Sequence, residues 1–262
     1  MLLFTLLGCG DTLTNAEARE ALEEAVAAAK SEALTGEVVE ITTDFTIGEA
    51  VEDAAEELRA FLASQVPCST VTRDGNSVTV DFGTLDDACT YEGRTYAGVV
   101  TVTIDRNDDE VVVQHDWEGL TDGEITVDGG ATVTWTSVDT ITRHVVHELT
   151  WTDGERTVVA SGDRTQALVD PEQGLAGGIR IDGERAWEGE SGAWDLAIDG
   201  VQVRPQDPCP EAGVYTLTTP ADKVATLTFE RVDEDTIRAT LTGTRRDLAW
   251  EITSAGAIED AG

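Results

Sequence analysis

The chain has 262 residues, 40% of them hydrophobic, which is enough for one large β domain or two smaller ones around a packed core. Its 52 acidic residues outnumber 17 basic ones and leave a net charge of −35. That balance excludes nucleic acid as a partner, repels anionic headgroups, and leaves a basic protein or Ca²⁺ as the charged partners that fit. The acids run along the whole chain, the pattern of solubility or adaptation to salt.

The first elements are an apolar run, Leu2-Leu3-Phe4, and then Leu6-Leu7-Gly8-Cys9. This stretch resembles the lipobox of bacterial lipoproteins, with Leu6 three residues before the cysteine and Gly8 directly before it. The resemblance implies a signal peptide over 1–8 and a lipid on Cys9, which becomes the new amino terminus. No Lys or Arg precedes Cys9 and the run is short, so the leader reads as truncated against the charged, roughly 7–15-residue apolar pattern of secretory leaders. Gly10, rather than Asp, follows the cysteine, which in the enteric sorting scheme permits transfer to the outer membrane. The expected location is therefore exported and lipid-anchored, at the outer membrane of a diderm bacterium. No later stretch approaches the roughly 18 apolar residues of a spanning helix.

A helix is predicted next. Thr14 and Glu17 fit a capping box, and Ala18, Leu22, Ala25, Val26 and Ala29 recur at helical spacing. Gly36 suits its C-terminal cap, and a short strand is expected over 38–42. A second helix is expected from Thr46, with Glu49 as its capping partner. Ile47, Val51, Ala54, Ala55, Leu58 and Leu62 form its apolar stripe, and it stops before Pro67. The two stripes are core surfaces, packing on each other or on a sheet.

From Cys68 the pattern changes to period two, as in 132–138 and 140–152. Asp-Gly occurs six times, at Gly75, Gly123, Gly129, Gly154, Gly183 and Gly200. Between alternating hydrophobics this dipeptide marks hairpin turns, because both turn residues need positive φ. The reading is a long antiparallel meander of about a dozen strands with one face packed and one wet, and a loop over 167–178. Three prolines in 204–210 mark a boundary. Four more strands follow, over 213–219, 225–231, 236–241 and 248–252, and 254–262 reads as a disordered tail.

With Cys9 lipidated, Cys68, Cys89 and Cys209 remain. Export favours disulfides. A Cys68–Cys89 bridge would staple the β unit around 78–82, worth about 3 kcal/mol in the chain-entropy view. Spacing does not fix the connectivity, and Cys209 competes for either partner. Val78-Thr79-Val80-Asp81-Phe82-Gly83, followed by Cys89, Gly93-Arg94-Thr95 and Gly98, resembles a repeated pattern in β-rich envelope lipoproteins of diderm bacteria, with a fainter echo over 209–229. No activity is established for that group, so the resemblance implies location and fold only.

Candidate chemistry is sparse. His144 and His147 have metal-ligand spacing for a helix, but on a strand they point to opposite faces. His147 then joins Ile141, Val145, Leu149 and Trp151. His144 joins Thr142 and Thr150, and His115 stands alone beside Asp116. Asp105, Asn107 and Asp109 alternate oxygen ligands as at the start of an EF-hand loop, but Glu110 replaces the required Gly, so this is a polar hairpin turn or at most a weak Ca²⁺ site. Asp233-Glu234-Asp235 is similar and weaker. No nucleophile elbow or phosphate loop is present, and no carboxylate pair stands out for glycoside hydrolysis. The six tryptophans at 117, 135, 151, 187, 194 and 250 read as core.

The expectation is thus a mainly β chain with an N-terminal helical pair (α+β), its meander sheet open or sandwich-like. Its parts are 1–8 signal peptide, 9–66 anchor and helices, 67–204 β domain, 205–253 four-strand unit and 254–262 tail. Its role is that of a membrane-anchored envelope lipoprotein acting structurally or through an envelope protein or basic partner, not as an enzyme. It needs no cofactor beyond the covalent lipid on Cys9. The alternatives are a periplasm-facing carrier of an apolar ligand and a Ca²⁺-dependent surface module.

Overall fold

The structure, a computed structural model, describes residues 12–43, 51–91, 93–106, 110–136, 142–204, 207, 209–253 and 258–260. Helix α1 spans Asn15–Thr43 and α2 spans Val51–Gln65. The strands that follow are β1 Thr70–Asp74, β2 Ser77–Asp81, β3 Cys89–Tyr91, β4 Arg94–Arg106 and β5 Glu110–Thr121. Next come β6 Thr126–Thr136, β7 Thr142–Thr152, β8 Thr157–Leu168, β9 Ile179–Gly189 and β10 Gly192–Val203. The last are β11 Ala212–Thr218, β12 Val224–Arg231, β13 Thr236–Thr242, β14 Leu248–Thr253 and β15 Ile258–Asp260.

Every pairing between these strands is antiparallel, and sequence order is spatial order from β4 to β15. β2 pairs with β4, and β3 lies beside that path on β4 alone. The meander is open, with β1 and β15 as its ends. β10 pairs directly with β11, so one sheet continues across the proline-rich segment into the C-terminal strands.

The period-two reading describes the faces well. On β7, Arg143, Val145, His147, Leu149 and Trp151 are buried, while His144, Val146 and Glu148 are exposed. The inner face is covered by the helices. Ala55, Leu58 and Leu62 of α2 join the same core as Val78, Val80, Val100 and Val102 of β2 and β4. Ala21, Ala28, Leu34 and Val38 of α1 join it beside Trp151, Trp187 and Trp194.

Helix α1 begins as the capping box dictates: Glu17 N donates to Thr14 Oγ1 at 3.3 Å, and Thr14 N donates to Glu17 Oε2 at 2.7 Å. Its end does not follow the sequence reading. Gly36 is not a cap, 38–42 is not a strand, and the helix runs on to Thr43. A mid-helix glycine costs roughly 1 kcal/mol. Burial of Leu34, Val38 and Val39 on the sheet outweighs that, at roughly 1.5–3 kcal/mol per aliphatic side chain. The buried hydroxyls fold back onto the helix: Ser31 Oγ donates to Ala28 O at 2.8 Å, and Thr35 Oγ1 to Ser31 O at 3.2 Å. The expected start of the second helix at Thr46 and Glu49 lies outside the described residues.

Three of the six Asp-Gly pairs are turns, at Gly75, Gly123 and Gly154. The other three, at Gly129, Gly183 and Gly200, sit inside β6, β9 and β10, which corrects the hairpin reading there. A Cβ on Gly183 would come within 2.2 Å of Asp163 O on the neighbouring strand, so this glycine serves close backbone approach. The aspartates at two of these sites support bulges. Asp128 Oδ1 accepts from Gly119 N at 2.8 Å, and Asp182 Oδ1 from Gly200 N at 2.7 Å, each where the pairing register shifts. Such bulges bend a strand and sharpen its twist. In the tail, Ile258–Asp260 pairs with β14 rather than being disordered.

Candidate functional site

Cys68, just before β1, and Cys89, at the start of β3, lie at disulfide distance with Cα atoms 5.2 Å apart. Cys209 is half-buried and bonds no other cysteine among the described residues. Burial, and then Asp207, push its thiol pKa up, which makes it a poor nucleophile. Around it lies a charge network that the sequence reading missed. Buried Glu211 accepts from Arg204 Nε at 2.7 Å and Arg231 Nε at 2.6 Å, and Arg231 also pairs with Asp207. These residues close the β10–β11 connection.

Cys9 lies outside the described residues. Of the Ca²⁺ candidates, Asn107 and Asp109 lie outside them as well. Asp105, on β4, accepts from Asn76 Nδ2 at 2.8 Å. Asp233 Oδ1 caps Asp235 N at 2.9 Å, the geometry of a polar turn. Among the described residues no three His, Cys, Asp or Glu side chains converge as a metal set.

The histidines diverge as their strand requires. His144 is exposed on the outer face, with Nε2 2.5 Å from Asp163 Oδ1. His147 is buried on the inner face, and Gly162 opposite it makes room: a Cβ there would lie 2.3 Å from the imidazole Cε1. His115, on β5, joins His147 in one cross-strand row through Ala131. Its ring stacks beside Trp117 with centroids 6.2 Å apart. Burial, and then the Arg143 charge, depress its pKa to about 3. Arg143 lies 5.5 Å over the Trp135 ring and donates to Gln166.

A cavity of about 60 Å³ separates this polar layer from α1, lined by Thr35, Val39, Trp117, Arg143, His147 and Arg164. It has room for one or two waters rather than an organic ligand. Arg143, stacked on Trp135, and the buried His147 line this cavity opposite Thr35 and Val39 of α1.

A second polar clamp centres on Glu24 of α1, which is 6% exposed. It accepts from Arg156 Nη1 at 2.7 Å and Trp187 Nε1 at 3.3 Å. Further along α1, Glu17 holds Lys223 at 2.8 Å and Lys30 holds Glu124 at 2.9 Å. One helix thus crosses the ends of the β5–β6, β7–β8 and β11–β12 hairpins. Trp117, Trp151, Trp187 and Trp194 are core as expected, and Trp135 and Trp250 are half-buried.

The amino-terminal segment is tied to the far end of the sheet. Leu13 is fully buried, its N–H donates to Gly243 O at 2.9 Å, and it bridges Thr244 in parallel. Beside it, among the described residues, α1 stops short of Leu241, Leu248 and Trp250 on β13 and β14, and an open groove of about 630 Å³ results. The sequence signal for it is Arg245-Arg246, the one adjacent Lys/Arg pair in the chain.

No protein-family model, curated protein or solved structure matches this chain.

Proposed function

We propose that the chain is a membrane-anchored envelope lipoprotein whose helix-braced sheet acts as a structural or interaction module rather than as an enzyme. The observation that carries the reading is Leu6-Leu7-Gly8-Cys9 placed four residues before Leu13, which is pinned to the end of the sheet. Four extended residues reach at most ~14 Å. A lipid on Cys9 would therefore hold the folded body close against the bilayer instead of on a long tether. Two or more acyl chains suffice for stable anchoring. The Cys68–Cys89 pair fits an oxidising compartment outside the cytoplasm. Among the described residues no helix is long and apolar enough to cross a membrane. For the carrier alternative, the cavity under α1 is about 60 Å³, too small for an apolar ligand, and the open groove of about 630 Å³ beside α1 is the space among the described residues that would have to serve.

The test is labelling with a palmitate analogue, comparing wild type with Cys9→Ala, together with protease shaving of intact cells. Label lost in the variant supports the anchor, and shaving then reports which face of the membrane holds it. Equal label in both proteins, or none in either, removes the anchor and the reading with it.

A further inference from the structure

Among the described residues the inner face of the sheet is covered by α2 and then by α1, and that cover stops short of Leu241, Leu248 and Trp250. Leu241 of β13 and Leu248 and Trp250 of β14 face Ala18 and Leu22 of α1 across the open groove. Leu22 is 64% exposed and Leu248 44% exposed, high values for leucines that flank the hydrophobic core. Arg19, Arg245 and Arg246 complete the lining, which contains no carboxylate. In a chain with 52 acids and 17 bases, a lining with three arginines and no acid is the reverse of the general composition, although the exposed Glu23 and Asp247 adjoin it. All three are exposed and make no ion pair among the described residues, whereas nearby Lys223, Arg231 and Arg238 are each paired. Thr244, which bridges Leu13, lies in the same lining, so the groove opens at the end of the sheet where the amino-terminal segment enters.

We propose that this groove is a membrane-docking surface for a bilayer bearing anionic phospholipids, with Arg19, Arg245 and Arg246 on the lipid phosphates and Leu22, Leu248 and Trp250 at the acyl boundary. Arginine forks suit phosphate oxygens bidentately, and a tryptophan with one apolar and one wet end suits the headgroup level. Repulsion from acids farther off is screened beyond ~8 Å at physiological ionic strength, which leaves the three arginines opposed at short range by the exposed Glu23 and Asp247 at the groove's rim. The proposal takes its orientation from the lipid-anchored reading: the docking face and the chain entry from Cys9 share one end of the molecule.

The experiment uses the full chain carrying Cys9→Ser, which removes the lipid, in flotation with phosphatidylcholine vesicles made with and without phosphatidylglycerol. The expected result is binding to the phosphatidylglycerol vesicles that added salt reverses. Arg19→Gln/Arg245→Gln/Arg246→Gln weakens it by on the order of a hundredfold if each cation contributes as surface-bound arginines do. Leu22→Asn/Leu248→Asn also weakens it, and because both leucines are solvent-exposed, an unchanged melting temperature checks the fold of each variant. Binding that the arginine variant leaves unchanged would assign the contact to the apolar leader and overturn the proposal. No binding to either vesicle overturns it as well. A dimer that Leu22→Asn/Leu248→Asn dissociates, with no vesicle binding, would give the groove to a second copy of the chain. Palmitate labelling of Cys9 is untouched by the arginine variants, so failure of the anchor and failure of the docking surface are read separately.

Discussion

His115→Phe should flatten the pH dependence of folding on the acid side. The imidazole is 1% exposed, with a pKa held at about 3 by burial and the Arg143 charge. In the unfolded chain the ring titrates near 6.5. Because the folded value is depressed, the stability that depends on a neutral ring is fully present above about pH 6.5. It is lost as pH falls, since the unfolded state then takes up a proton that the folded state refuses. At 1.36 kcal/mol per pH unit the loss is about 2 kcal/mol between neutrality and pH 5. Carboxylates held low in the folded state, Glu17 at about 2 among them, add their own losses at more acid pH, but these are common to both proteins. The quantity to read is therefore the difference between wild type and variant. Urea unfolding followed by tryptophan fluorescence at a series of pH values gives it directly. The variant's absolute stability does not matter; its slope does. Parallel curves from about pH 7 to about pH 5 would refute the reasoning and mean that the buried ring is already protonated or readily hydrated.

Three further outcomes are expected. Gly98→Ala should cost about 2–5 kcal/mol, because φ is +95° and the new Cβ would lie 2.2 Å from Gly119 O, whereas Gly75→Ala, at φ +62° with nothing within 4 Å, should cost only about 1. Equal urea midpoints for the two variants would contradict the close-approach account. Cys68→Ser/Cys89→Ser should lose about 3 kcal/mol, and dithiothreitol should bring wild type to the same midpoint. A wild type insensitive to reductant would mean that the pair is not bonded. Glu24→Gln should cost about 3 kcal/mol by leaving Arg156 with Asp153 alone and weakening the contact to Trp187, and it should shift tryptophan emission. An unchanged melting temperature would show that α1 is not held there.

Local signals were legible and long-range ones were not. The Thr14–Glu17 cap is readable because both bonds close within three residues. The alternation on β7 correctly separates His144 from His147, because the pleat alone decides it. Gly36 misleads because the reason for continuing the helix is a sheet face built from residues far downstream. The Asp-Gly pairs at Gly75 and Gly183 are the same dipeptide. What distinguishes them is the strand lying against the second, and a dipeptide carries no information about its cross-strand neighbour. The row of His115 and His147 and the neighbouring Arg143–Gln166 pair are hidden for the same reason, since their members come from β5, β7 and β8. The groove is half legible: Arg245-Arg246 is visible in the sequence, but Leu22 reads as ordinary core until α1 is seen to stop covering the sheet.

The path of α1 also bears on the order of events during folding. Each strand from β4 onward can pair with its predecessor as soon as it is made, because neighbours in sequence are neighbours in space. Helix α1 cannot settle in that way. It emerges first, yet its contacts reach Glu124, Arg156, Trp187 and finally Lys223, which is 206 residues from Glu17. Its carboxyl-terminal half can pack once β5 to β8 exist, where Val39 meets Trp117 and Val145, but its amino-terminal half waits for β9 and the β11–β12 hairpin, and loop closure over such a span is slow to reward. The amino-terminal half of the helix is therefore the part expected to lock late. A growing chain carries that half exposed until those strands are made, the stage at which a holdase would have something to grip.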